Sequence, residues 1–344
     1  MEHIKKIFNT KPYNYYIFFG ILLSLAPTAQ QLGLLNSSTI IVLGTVIFYS
    51  VVGVGLNVLL GYSGLISLGT AGFMGLGSYM AAYLTVDMNL PYFLSVIISV
   101  SIPLAVGLVI GLISLRIQGY YLAIATLGVS EILKQVFIEM DTLTGGFSGK
   151  SAFYPKIFGL LELNRQFTFI GMSIVLVLIL IFSHNFINAR TGRAFLTMRG
   201  SESAAKAMGI NLLKYKLTAF GIATAYAALG GVLYIHFIRF AYPSGWSVTL
   251  SLQILAVIVI GGMRKMNGPV IGAFIVFGVP ELILKQIPII SGIDGLAYIF
   301  TGVLIIVVIL FYPDGVIDLL NPIKDYIEKY KENKNEEKSL LDNQ

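Results

Sequence analysis

Two pairs of opposite charges stand inside apolar runs and are the first candidates for chemistry. Glu131 and Lys134 lie at i, i+3 in a stretch that also holds Thr126, Ser130 and Gln135, and Glu281 and Lys285 lie at i, i+4. An ionisable group at membrane depth marks a solute or ion pathway by default. At these spacings each pair can equally neutralise itself on one helix face, with the lysine reaching toward the interface. A carrier coupled to protons or sodium needs unpaired carboxylates, and each of these has a lysine within one turn. The three histidines, His3, His184 and His236, are far apart with no carboxylate at ligand spacing, and there is no cysteine. No metal site, cofactor, thiolate nucleophile or intramembrane enzyme is therefore expected. The loop Thr142–Ser151 imitates a phosphate loop, but the glycine required five residues before Gly149-Lys150-Ser151 is Thr144. No strand precedes it and no helix start follows, which excludes a nucleotide site there.

The most charged stretch is Arg190 to Lys216. Arg190, Arg193, Arg199, Lys206, Lys214 and Lys216 stand against the single acid Glu202, with long apolar runs on either side. A short loop this basic between two spans marks the cytoplasmic face. Inside it, Ser201 can cap a helix whose first turn carries Glu202, complementing the positive end of the macrodipole. Ala204, Ala205, Ala207 and Met208 propagate that helix and Gly209 suits its C′ position. The spacing predicts about two turns, roughly 10 Å, with Ala205 and Met208 on one face. Such a helix suits docking in a partner's groove; the alternative is a solvated loop that only fixes topology.

These groups are positioned by an all-α scaffold. The chain has 344 residues, 56% hydrophobic and 12% charged, with mean hydropathy +0.83 and net charge +6. Apolar runs of about 20 residues recur from end to end, so this is a polytopic helical membrane protein. About ten spans are predicted: Tyr15–Ala26, Ser38–Leu60, a glycine-rich segment after Gly61, Pro91–Leu115, Gly119–Met140, Phe167–Ile187, Lys216–Arg239, Leu252–Gly262, Val270–Ile287 and Leu296–Tyr312. The first follows Lys5, Lys6 and Lys11 like a signal peptide, but Pro27 suits a cleavage site poorly, so it is expected to remain uncleaved. The third contains Gly61, Gly64, Gly69, Gly72, Gly75 and Gly77. That spacing allows close helix packing and also suits a broken or re-entrant segment lining a cavity. With the N-terminus inside, ten spans place every basic loop inside and the nearly neutral loop 141–166 outside. The expected domains are a membrane unit, 1–316, and a polar cytoplasmic tail, 317–344. The loop charge is assigned to topology and lipid headgroups, with no nucleic-acid partner.

Five co-linear stretches then point to a family. They are Gly55–Gly69 (GLNVLLGYSGLISLG) with Ala71–Tyr79 (AGFMGLGSY); Gly119–Leu127 (GYYLAIATL) on to Glu131; Thr144–Gly149 (TGGFSG); Gly192–Ala205 (GRAFLTMRGSESAA) with Gly209–Asn211 and Tyr215–Phe220 (YKLTAF); and Ile260–Gly262 with Gly268–Gly272 (GPVIG) and Pro280–Leu282. Together they cover roughly residues 40 to 316, and the chain resembles the M-type permease subunit of branched-chain amino acid ABC importers. The resemblance implies half of a transmembrane pathway in a prokaryotic cell membrane. Its implied partners are a related H-type permease, two cytoplasmic ATPases and an external solute-binding protein. It also implies that Glu202, Ala204, Ala205, Met208 and Gly209 form the loop that docks on the ATPase. Asn57, Tyr62, Ser63, Thr126, Ser130 and Glu131 are the candidates for the solute path, though each of the polar ones can also be interhelical glue. Thr70 departs from the family, where many relatives carry histidine after the Leu-Gly pair, and Ser203 interrupts a Glu-Ala-Ala run. Permeases of urea or short-amide importers are closely similar, which leaves the solute open between these classes.

Overall fold

The computed structural model describes residues 12–114, 120–157, 161–283, 295–312 and 315–317. In lipid, a long apolar segment satisfies its main-chain polar groups by closing them into a helix, and helices dominate the described residues. α1 (Pro12–Ser24) and the short α2 (Ala26–Gln31) precede α3 (Ser37–Leu56), which continues as a π-helical turn, Asn57–Tyr62. α4 (Thr70–Ala82) likewise continues as a π-turn, Tyr83–Asp87. Then follow α5 (Tyr92–Ser114), α6 (Tyr120–Glu139), α7 (Arg165–Asn188), α8 (Arg190–Gly200), α9 (Glu202–Ala207), α10 (Leu212–Ile238) and α11 (Val248–Gly261). α12 (Gly268–Ala273) runs through a π-turn into Val279–Leu282, and α13 is Leu296–Phe311.

Six helices among the described residues are long and apolar enough to cross a membrane: Ser37–Tyr62, Tyr92–Ile113, Tyr120–Glu139, Arg165–Asn188, Leu212–Ile238 and Pro243–Gly261. Gly268–Leu282 and Tyr298–Phe311 are shorter apolar helices. The other two predicted spans coincide with α1, which has 13 residues, and with α4, whose glycines and hydroxyls dilute its hydropathy. Lys285 and the tail from residue 318 lie outside the described residues.

The core forms around α10, which packs against α3, α4 and α5. Contact with α4 is close because both helices drop their side chains where they cross. A Cβ on Gly231 would stand 1.9 Å from the Met74 carbonyl oxygen, and one on Gly77 would stand 2.4 Å from that of Ala228. The glycine-rich stretch is thus divided into two parts. Its second half packs helix on helix, and its first half, residues 64–69, is irregular backbone joining the end of α3 to α4.

At the opposite end from the Arg190–Lys216 stretch, the predicted loop 141–166 is partly ordered into two-residue strands. β1 (Lys150–Ser151) pairs antiparallel with β4 (Phe240–Ala241), in the register Lys150 to Ala241, so the loop is fastened to the residues that follow α10. β2 (Lys156–Ile157) pairs with β3 (Leu161–Glu162). Strands this short carry no alternation that a sequence pattern could show. Lys150, the lysine of the phosphate-loop imitation, pairs with Asp87 and lies 5.0 Å from the centre of the Tyr83 ring.

Candidate functional site

The predicted helix at Glu202 forms with both of its predicted caps. Ser201 is extended, and its hydroxyl accepts the Ala204 N–H at 3.2 Å. Gly209 adopts φ +77°, and the Ile210 N–H closes back on the Ala205 carbonyl at 3.0 Å. This is the Schellman arrangement that a glycine at C′ permits. One expectation is corrected: Ala205 and Met208 do not share a face. Ala205 is fully buried against the chain itself, whereas Met208 is 72% exposed. Met208 is the C-cap, its N–H still bonded to the Ala204 carbonyl at 3.0 Å, and its long side chain leaves the edge of the seated face that buries Ala205. The outward apolar surface is Ala204, Ala207 and Met208.

Glu202 turns back toward the membrane. Its carboxylate meets the Lys216 ammonium at 2.6 Å; the Lys216 side chain is 7% exposed and that of Glu202 38%. Lys216 sits in the second turn of α10, so the ion pair ties α9 to the central helix. The preceding helix, α8, was expected as loop because of its arginines. It folds because Ala194, Phe195 and Met198 fall at i, i+1, i+4 and bury one face. Phe195 packs between Phe186 and Tyr215, with ring centres 6.0 and 6.2 Å away. That apolar spacing was the available signal.

From α8, the Arg199 guanidinium donates to the Gly61 carbonyl at the end of the π-turn after α3. Burial, and then the neighbouring Arg264 charge, pull Arg199 below its ordinary value. The same π-turn grips the 264–265 turn through main-chain atoms. Asn57 accepts the Arg264 N–H through Oδ1 and donates through Nδ2 to the Lys265 carbonyl, both at 3.0 Å. The Tyr62 hydroxyl donates to the Arg264 carbonyl, and Ser63 donates to the Leu59 carbonyl. Arg264 itself has φ +65°, a conformation disfavoured for a side-chain-bearing residue and held by these bonds. α8, the π-turn and the 264–265 turn thus form one connected layer.

Thr126 and Ser130 serve a second cluster, at the start of α4. The first N–H groups of a helix lack intrahelical partners, and here hydroxyls from two elements, α6 and α11, serve them and the Leu68 N–H just before the helix. Thr126 accepts from Leu68 at 2.9 Å, Ser130 from Gly72 at 3.1 Å and Ser251 from Ala71 at 3.0 Å. Ser251, next to Thr249 and just before the predicted span from Leu252, gave no sequence signal of this role. Glu131 is apart from both clusters. It pairs with Lys134 at 3.5 Å as its spacing predicts, and its side chain is 46% exposed on the outward side of α6. Among the described residues, no three His, Asp or Glu side chains converge on a metal position.

Comparison with known proteins bears directly on this arrangement. Residues 38–309 match the family model described as "Branched-chain amino acid transport system / permease component". The chain belongs to this family. It is accordingly a transport component and a multi-pass protein of the prokaryotic plasma membrane. It is 27% identical over 314 residues to the high-affinity branched-chain amino acid transport system permease protein LivM of Escherichia coli, covering 84% of this chain and 72% of the relative. The LivM protein of Salmonella typhimurium is 27% identical over 299 residues, covering 80% and 68%. The probable LivM permease of Methanocaldococcus jannaschii is 26% identical over 219 residues, covering 59% and 61%. No solved structure matches the chain significantly. The matched span, 38–309, contains α9, both clusters and Glu131.

Proposed function

We propose that this permease family member is a transmembrane subunit of an ATP-driven importer for leucine, isoleucine and valine. It works beside a second, related permease, two cytoplasmic ATP-binding subunits and an external solute-binding protein; ATP hydrolysis belongs to the partners, and no cofactor is assigned to this chain. The observation that carries the proposal is the doubly capped α9 fastened to α10 by Glu202 and Lys216. Ala204, Ala207 and Met208 offer a small apolar surface suited to a groove. Closure of the ATPases pushes α9, the ion pair and Phe195 pass the push to α10, and Arg199 passes it to the end of α3. The spans then move as rigid bodies.

In this proposal residues 1–316 form the permease domain, residues 317–344 a cytoplasmic tail, and the chain crosses about ten times. A helix over each predicted stretch supports the count. The path runs along the outward face of α6. Glu131 lies about 16 Å along a helix about 30 Å long, a depth at which a carboxylate facing lipid is expensive. The second permease therefore covers this face, and the solute passes between the two. Asn57, Tyr62, Ser63, Thr126 and Ser130 hold the backbone of the path wall in place.

The test is uptake of labelled leucine, isoleucine, valine and urea into proteoliposomes holding the chain with its co-purified partners. Leucine uptake that requires ATP supports the proposal. Uptake driven by an ion gradient without ATPase overturns it, and ATP-dependent uptake of urea alone overturns the assigned cargo.

A further inference from the structure

At the end of the molecule opposite α9, a cavity of about 410 Å³ opens between the α4–α5 connection, the 153–156 loop and the end of α10. Its walls include Leu90, Pro91, Tyr92, Phe153, Tyr154 and His236, with Lys156 at the rim. That volume lies within the roughly 300–1,000 Å³ range of small-molecule sites. His236 is 2% exposed, and its Nδ1 is 3.0 Å from the Phe153 carbonyl oxygen. A carbonyl only accepts, so Nδ1 carries the proton, and a neutral ring then presents a lone pair at Nε2. That Nε2 is buried with no hydrogen-bond partner among the described residues. A buried polar atom in this condition is costly unless something donates to it.

We propose that this cavity is an outer receiving site for a small zwitterion, its primary ammonium donating to His236 Nε2 and its anionic group meeting Lys156. The aromatic faces of Tyr92, Phe153 and Tyr154 suit an ammonium, and Leu90 and Pro91 give an aliphatic side chain an apolar wall. Positive charge gathers at the rim. Arg239 stacks over Tyr154 at 4.8 Å and Arg165 donates to the Tyr154 hydroxyl at 3.3 Å. Lys156 is paired with Glu162 at 2.6 Å, but both side chains are more than half exposed. Such surface pairs are weak, and a ligand carboxylate can share the lysine. Among the described residues no carboxylate lines the cavity to compete for the ammonium. A free amino acid and a phosphatidylethanolamine headgroup both present this chemistry. The amino-acid assignment rests on the importer reading above.

The experiment is equilibrium binding of labelled leucine to the assembled importer without its solute-binding protein, in phosphatidylcholine nanodiscs. Isoamylamine and 4-methylpentanoate serve as half-ligand competitors. Saturable binding is expected, weakened about tenfold by His236→Phe, which removes the acceptor. Lys156→Gln, at an exposed position that folding tolerates, weakens leucine about threefold and leaves isoamylamine unchanged. Discs containing phosphatidylethanolamine separate the sources: a headgroup occupant competes with leucine and raises its apparent Kd, and an amino-acid site is indifferent. Absence of saturable binding by leucine and of competition by the headgroup overturns the proposal, as does binding that Lys156→Gln leaves untouched. ATP-driven leucine uptake measured in parallel keeps the two ideas distinct. Normal uptake with no binding here sinks only this site, and absent uptake sinks the importer reading.

Discussion

The ion pair between Glu202 and Lys216 makes a prediction that separates two roles for Glu202. One has its carboxylate facing a partner ATPase; the other has it holding α9 onto α10. Removing one partner of a buried pair costs about 3–5 kcal/mol because a charge is left buried and uncompensated. Here Lys216 is 7% exposed but Glu202 is 38% exposed, so water screens the pair in part. Glu202→Lys should therefore loosen the seated helix by about 2 kcal/mol, close to thirtyfold in the ratio of seated to released α9. ATP-dependent uptake should fall by about that factor wherever seating limits transport. The charge swap Glu202→Lys with Lys216→Glu restores an opposite pair in the same place. Uptake in proteoliposomes, with amide exchange of residues 201–211 as the direct readout of seating, should recover at least half of the loss. A swap no better than Glu202→Lys alone, with exchange as fast, would refute the tether and return Glu202 to the partner's surface.

Three further outcomes test the layers around that helix. Asn57→Ala strips two main-chain groups of the 264–265 turn of their partner at a fully buried site. It should cost about 2 kcal/mol, seen as a lowered Tm in detergent and as ATPase activity uncoupled from uptake. Ser130→Ala and Ser251→Ala each remove an acceptor at the α4 N-terminus. Each should cost about 1 kcal/mol, and since the two hydroxyls serve adjacent N–H groups of one helix end, the Tm of the double variant should depart from the sum of the single effects. Gly231→Ala places a methyl 1.9 Å from the Met74 carbonyl oxygen. It should lower stability by about 1–3 kcal/mol, while Gly128→Ala, with nothing within 4 Å of the added carbon, should leave Tm unchanged.

Local chemistry was legible in the sequence, and distant partnership was not. Ser201 and Gly209 act on groups within three or four residues, so their roles follow from order alone. The Glu131–Lys134 pair is legible for the same reason. Asn57 is the contrary case. Its polarity inside an apolar run announces a partner, but that partner is the main chain of Arg264 and Lys265, more than 200 residues away, and main-chain atoms carry no residue-type signal. Ser251 escapes notice because a hydroxyl at the edge of a predicted span has many ordinary uses. α8 was hidden by its charges, although Ala194, Phe195 and Met198 carry the helical period. The splitting of Ala205 from Met208 depends on which edge of α9 seats against the rest of the chain, and that tertiary choice is not written in the spacing.

The fastening of β1 to β4 acquires a mechanical meaning from the length of α10. With 27 residues, α10 is a rod about 40 Å long, packed against its neighbours from Lys216 to Phe237, and a rod gripped along its length shifts as one piece. In the proposed cycle a thrust of about 2 Å at Lys216, the scale of known helix shifts, would then reappear beyond Ile238, where the chain becomes β4 and is paired with β1. The outer loop is in this sense the far arm of the same beam. A clamp across β1 and β4 would brake the molecule from outside, without touching the nucleotide side at all.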